Sequence, residues 1–166
     1  MAIKPLDVET LKSLLTYNPE TGEFRWINAM RNKSRAGDAA GYVTPTNRLR
    51  IVIQGKAYYA HRLAWLYVHG AWPKRFIDHI NGDPLDNRLC NLREATDLIN
   101  CQNQRKAHPK SISKLLGTYK VTESRFWGAT IRINGKQTHL GTFETPELAH
   151  QAYVRAKRVF HEGNTL

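Results

Sequence analysis

Within "WGATIRINGKQTHLGTF", the dipeptide Asn134-Gly135 stands between two β-type runs, and few features constrain a chain so tightly. A two-residue type I′ turn needs left-handed backbone at both central positions, which Asn and Gly tolerate, so the pair fixes both the hairpin and its register. Ile133 then opposes Lys136, Arg132 opposes Gln137, Ile131 opposes Thr138 and Thr130 opposes His139. Directly opposed residues share a face. One face therefore carries Thr130, Arg132, Gln137 and His139, and the other Ala129, Ile131, Ile133 and Leu140. Behind it, "TPELAHQAYVRAKRVFHEG" has a Thr145 cap, Pro146 at the first helical position, Gly163 past the end and an apolar stripe of Ala149, Ala152, Tyr153, Ala156 and Phe160. That helix is expected to cover the apolar face and leave a polar, cationic sheet face open, a shape that a DNA major groove admits. Trp127, by its parity, is expected in the core.

Charge points the same way: 25 Lys and Arg against 14 Asp and Glu give +11 over 166 residues. From Arg25 to Lys56 there are seven basic residues (Arg25, Arg31, Lys33, Arg35, Arg48, Arg50 and Lys56) and one acid, Asp38; from Arg105 to Lys114 there are four basic residues and no acid. Patches of one sign attract polyanions, so a nucleic acid is the expected partner. No apolar run approaches a membrane span, and the start lacks a secretory signal, so the reading is an intracellular, cytoplasmic protein. Cys90 and Cys101 form no CxxC and signal neither a disulfide framework nor a zinc site.

The chain divides at the basic, Pro-interrupted "RKAHPKSISK" into residues 1–104 and 116–166, with 105–115 as linker. Upstream, "DVETLKSLLT" predicts a short helix, "EFRWI" a strand, "RLRIVIQGKAYYA" two strands joined at Gly55-Lys56, and "HRLAWLYVHG" a helix ended by Gly70. In "FIDHINGDPLDNRLCNLREATDLIN", "FIDHI" and "RLCNLREA" read as strands around a loop, and a helix follows. The expected class is α+β. Asn81 and Asn87 are read as loop formers. Strict alternation would point Asp78 and His79 to opposite faces, so the strand is expected to end or bulge there.

Two resemblances follow. Residues 58–104, with Asp78, His79, Asn91 and Asn100, resemble the HNH endonuclease family, the ββα-metal nuclease fold (here about 75–104), in the form common in phage and intron-encoded homing endonucleases. The "LLTYNPETGEFRW" segment accompanies that form. Residues 116–163 resemble an AP2 domain, a three-stranded sheet plus helix that reads DNA through the sheet.

The HNH resemblance implies a metal-dependent endodeoxyribonuclease acting on double-stranded DNA in a bacterial host, with no membrane or protein partner implied. Asp78 and Asn100 would hold Mg²⁺ or Mn²⁺, since hard cations take few protein oxygens and keep the rest for water and phosphate. His79 would act as general base and Asn91 would orient its ring. The family's final His is here Asn100, an oxygen donor that suits Mg²⁺ or Mn²⁺ better than zinc. The AP2 resemblance implies DNA contacts at Lys120, Thr130, Arg132, Gln137 and His139. A non-catalytic DNA-binding regulator on a degenerate HNH scaffold is the competing expectation. His61 and Arg62, at the start of an apolar helix, read as structural rather than phosphate-binding, and Asn103 as either lining the site or capping the helix face.

Overall fold

A computed structural model of the chain describes residues 6–28 and 35–165. Arg31 and Lys33 of the basic stretch lie outside the described residues. The chain forms two compact units, residues 1–96 and 97–166.

Unit 1 begins with α1 (Val8–Leu14), where the Asp7 carboxylate accepts the Thr10 N–H at 2.8 Å and Leu11 faces the core. The chain passes directly into β1 (Leu15–Tyr17), paired antiparallel with β2 (Phe24–Trp26); in both, the outer residues are buried and the middle one exposed. A three-stranded antiparallel sheet follows, β3 (Tyr42–Val43), β4 (Leu49–Ile53) and β5 (Lys56–Tyr59), in the order β3-β4-β5. The β4–β5 turn is Gln54-Gly55, one residue earlier than expected, because Ile53 pairs with Lys56 and both turn residues take positive φ, 50° and 78°. Next comes α2 (Ala60–His69), stopped by Gly70 in the left-handed region, whose N–H returns to the Leu66 carbonyl at 2.9 Å.

The hairpin β6 (Phe76–His79) and β7 (Leu92–Ala95) completes the unit. Its Ile77 and Leu92 join Leu11, Leu15, Phe24, Ile51, Ile53 and Leu63 in one core. Fully burying each such side chain is worth about 1.5–3 kcal/mol, which ties the hairpin to the rest of unit 1.

Unit 2 consists of α3 (Asp97–Gln102), β8 (Thr118–Lys120), β9 (Trp127–Ile133), β10 (Lys136–Phe143) and α4 (Pro146–Phe160). Its antiparallel sheet has the order β10-β9-β8. Asn134 and Gly135 have φ of 49° and 79°, and the four cross-strand pairs are those expected from the turn. A register shift at Leu140 follows, so that Gly141 rather than Leu140 faces Ala129. The Thr145 hydroxyl caps α4 by accepting the Leu148 N–H, and Ala149 and Tyr153 of the helix are buried, as are Ala129 and Ile131 of β9.

Two details of α4 depart from the apolar stripe. Phe160 is half exposed, and Lys157 is buried instead, its ammonium donating to the Gln104 carbonyl at 2.5 Å. Burial lowers the Lys157 pKa to about 8. Gly163 is not a helix stop; a side chain there would strike the Ile99 carbonyl of α3 at 2.4 Å.

These contacts explain why the division falls ahead of the 105–115 segment. The C-terminal tail holds the α3 region: the Gly163 N–H donates to Gln102 Oε1 at 3.0 Å, the Thr165 hydroxyl to Asn103 Oδ1 at 2.5 Å, and Arg105 to the Thr165 carbonyl at 2.7 Å.

Candidate active site

Strand β6 presents Ile77, Asp78 and His79, all three buried. Its register with β7 is regular, Asp78 opposite Arg93 and His79 opposite Leu92, and the strand ends at His79 without a bulge. Being cross-strand partners, Asp78 and Arg93 share a face. The guanidinium donates twice to Asp78 Oδ2, from Nε at 3.0 Å and Nη2 at 2.9 Å. Asp78 is buried and Arg93 half-buried, so removing the guanidinium would leave the buried carboxylate without its counterion.

His79 lies against His61, edge to face, with ring centroids 5.1 Å apart and planes at 80°. His61 in turn stacks on Tyr59 at 5.4 Å. Burial lowers the pKa of His79, opposed by its hydrogen bond to Asn87 and by the charges of Asp78 and Asp83, while Arg48 lowers it further. Burial likewise pushes His61 down to about 3, reinforced by His79, Arg48 and Arg62. Both rings are therefore neutral at neutral pH, the form in which an imidazole can accept a proton.

The amide oxygen beside His79 belongs to Asn87: Nε2 lies 3.4 Å from Asn87 Oδ1. An amide oxygen only accepts, so this bond places the ring proton on Nε2 and the lone pair on Nδ1. Asn87 is 2% exposed and is itself held, its Nδ2 donating to the Leu85 carbonyl at 3.0 Å and its carbonyl accepting the Tyr17 hydroxyl at 2.7 Å. The "NPETG" turn clamps the same segment. Leu89 N–H donates to the Pro19 carbonyl at 3.0 Å, and a Cβ on Gly22 would lie 2.6 Å from Arg88 N.

Asn91 does different work. It sits in a 3-10 turn (Leu89–Asn91) just before β7, not on the strand as expected. Its Oδ1 accepts the Asn81 N–H at 2.8 Å and its Nδ2 donates to the Asp86 carbonyl at 2.8 Å, closing the loop from inside. Asn81 does turn work, its Oδ1 accepting the Asp83 N–H at 2.8 Å and its amide donating to Asp86. Arg88, hydrogen-bonded to Asp86, holds that carboxyl down to about 2.

Asp78, His79 and Asn91 are thus in one hairpin of unit 1, whereas Asn100 is an exposed residue of α3 in unit 2. Asn103 is buried and engaged by Thr165. Among the described residues there is no cluster of three or more His, Cys, Asp or Glu side chains able to hold a metal. Any cation here would rely on the few oxygen donors that hard ions accept.

A family model for HNH endonucleases matches residues 58–102, from β5 through α2 and the β6–β7 hairpin to the end of α3. Protein 3.8 of Escherichia phage T7 is 35% identical to this chain over 108 residues, which are 64% of this chain and 87% of that protein. The chain belongs to the same family as Protein 3.8 and carries an HNH endonuclease domain. No solved structure matches it. The HNH domain is a nuclease-type domain, so DNA is the substrate it implies. No described helix is long and apolar enough to cross a membrane. The HNH match includes Asp78, His79, Asn91 and Asn100, and also Asn87, whose residue type and position in the sequence suggest only a loop former.

Downstream of the HNH domain, the open face of the unit 2 sheet carries Arg132, Gln137 and His139 exposed and Thr130 half-buried. Lys120 does not join them. It pairs with Trp127, so it lies on the face of Trp127 and Ala129, its ammonium 4.8 Å from the centre of the half-buried indole and donating to the Arg125 carbonyl at 2.8 Å. Tyr119, opposite Gly128, takes the place on the open face. Its ring crosses Gly128 so closely that a Cβ there would come within 2.2 Å, and its hydroxyl lies 3.2 Å from His139 Nδ1. Parity across the β8–β9 pair, counted from Trp127, assigns the open face to Tyr119, whereas the AP2 resemblance implied its neighbour Lys120.

Proposed function

We propose that this protein is a metal-dependent HNH endonuclease that hydrolyses phosphodiester bonds in double-stranded DNA, with the AP2-like residues 116–166 of unit 2 helping to select the site. It would work in the host-cell cytoplasm in the manner of phage homing endonucleases. One observation carries the reading: a buried His79, its pKa lowered by burial, ends a strand as the next residue after Asp78, whose charge acts on it, inside the stretch matched by the HNH endonuclease family.

His79 takes the proton from the attacking water through Nδ1, the nitrogen that the Asn87 bond leaves with a lone pair. Asn87 orients the ring, and Asn91 acts one step further out by holding the loop on which Asn87 sits. Of the two oxygen donors expected for Mg²⁺ or Mn²⁺, Asp78 is the one that unit 1 supplies, and such an ion, when bound, would stabilise the negative charge that builds on the phosphate and leaving oxygens. On unit 2, Arg132, Gln137, Thr130 and His139 contact DNA, joined by Tyr119, with Lys120 contributing charge from the other face.

The competing reading, a DNA-binding regulator without catalysis, is favoured by the Arg93 guanidinium, which already pairs with the carboxylate a cation would need. Incubation of duplex DNA with the protein and Mg²⁺ or Mn²⁺, with the ends mapped on both strands, separates the two. Divalent-dependent cuts or nicks that disappear in His79→Ala support the nuclease; intact DNA under every divalent cation supports the regulator.

A further inference from the structure

On β4, Ile51 and Ile53 point into the core, so Arg50 faces away from it, together with Arg48 immediately before the strand. Arg50 pairs with Tyr42 on β3 and Tyr59 on β5, forming a Tyr-Arg-Tyr row across all three strands. Its guanidinium carbon lies 4.8 Å from the centre of the Tyr59 ring and its Nη2 donates to the Ala57 carbonyl at 3.3 Å. Tyr59 stacks on His61, and His61 meets His79. The row thus leads by ring contacts to the proposed base.

Among the described residues no carboxylate pairs with Arg48 or Arg50. The positive charge of Arg48 reaches both His61 and His79. Two uncompensated, half-buried arginines on a nuclease unit are costly for the free protein and favourable once an anion arrives. Residues two apart in an extended segment are about 6.6 Å apart, far enough for the two guanidinium groups to engage separate phosphates.

We propose that Arg48 and Arg50 form a backbone-gripping subsite of unit 1 that holds phosphates flanking the one attacked at His79, with Tyr59 as the platform that fixes the Arg50 guanidinium. This rests on the nuclease reading for the identity of the attacked phosphate, but the grip itself does not need cutting. The nuclease unit therefore holds DNA by its own contacts and does not depend for this on the sheet face of unit 2.

Binding of a fluorescent mixed-sequence duplex to the full chain, measured by anisotropy in EDTA across a salt series, tests it without cleavage. Each lost phosphate contact lowers the slope of log K against log salt by about 0.9, so Arg48→Gln with Arg50→Gln lowers it by close to two, equally on unrelated duplexes. Arg48→Gln alone, which leaves the stacked Arg50 in place, lowers it by about one. Lys12→Gln, on α1, leaves it unchanged. With cutting restored by Mg²⁺, the double variant raises KM about tenfold with kcat little changed. A folded double or single variant that keeps the parental slope overturns the subsite. Failure of the parent to cut under any divalent cation overturns the nuclease reading and leaves the slope result standing.

Discussion

The two hairpins of this molecule, β6–β7 in unit 1 and β9–β10 in unit 2, solve opposite problems. In β9–β10 a two-residue turn closes the strands and the polar side chains of one face stay outside, where Arg132, Gln137 and His139 are exposed. In β6–β7 the connection runs through residues 80–91, and polar side chains turn inward: Asp78, His79, Asn87 and Asn91 are all buried. An exposed contact surface needs only register. A buried polar site needs every group satisfied, since an unpaired one costs about 1–3 kcal/mol. Hence the clamp of Tyr17, Pro19 and Gly22 against the loop that carries Asn87.

If that contrast is right, damage to the buried hairpin should stop chemistry or folding, and damage to the open one should only weaken DNA binding. The largest expected effect is His79→Ala, a loss of about 10²–10⁴-fold in cleavage rate with duplex affinity retained. An unchanged rate in that variant would sink the general-base assignment.

Acid comes next. The folded His61 pKa is about 3, against 6.5 for the ordinary group, so above 6.5 both folded and unfolded forms are neutral and stability is full. Below it the unfolded chain binds a proton that the fold refuses, and unit 1 loses up to about 1.4 kcal/mol per pH unit on the way to pH 3. Urea melts of the full chain between pH 7 and 4.5 should show the loss, and His61→Phe should lessen it.

Asn91→Ala leaves the Asn81 N–H and Asp86 carbonyl without their partner and should cost about 1–3 kcal/mol in the same melts. Asn87→Ala should instead lower kcat beyond its effect on stability. Equal behaviour of the two variants would erase the distinction between the asparagine that holds the loop and the one that orients the ring.

Effects confined to binding belong to the open face. Tyr119→Ala and Arg132→Ala should each weaken duplex binding by about 1–3 kcal/mol, with cleavage at saturating DNA unchanged. Lys120→Ala should cost less, because its ammonium lies over Trp127 on the other side of the sheet. A larger loss at Lys120 than at Tyr119 would place the DNA on that other face.

What the amino-acid sequence determined by itself is mostly local. Asn134-Gly135 set four cross-strand pairs because only left-handed backbone closes a two-residue turn. Asp7, Thr145 and Gly70 bounded their helices because caps act within one helical turn. The Asp78-His79 pair at a strand end was legible too. Tertiary structure decided the rest. Which asparagine meets His79 depends on a loop pinned by residues about seventy positions earlier, and nothing in the spacing of Asn87 and Asn91 encodes that clamp. Lys120 and Tyr119 exchanged faces because parity is set by pairing to β9, which a segment separated by the 121–126 connection cannot announce alone. Gly163, expected as a helix stop, proved to be a point of close approach to α3, and Lys157 took a buried place that an apolar residue would ordinarily hold. Caps and tight turns act over a few residues and can be read along the chain; buried polar partners are chosen across it, by whichever backbone the fold brings within hydrogen-bonding distance.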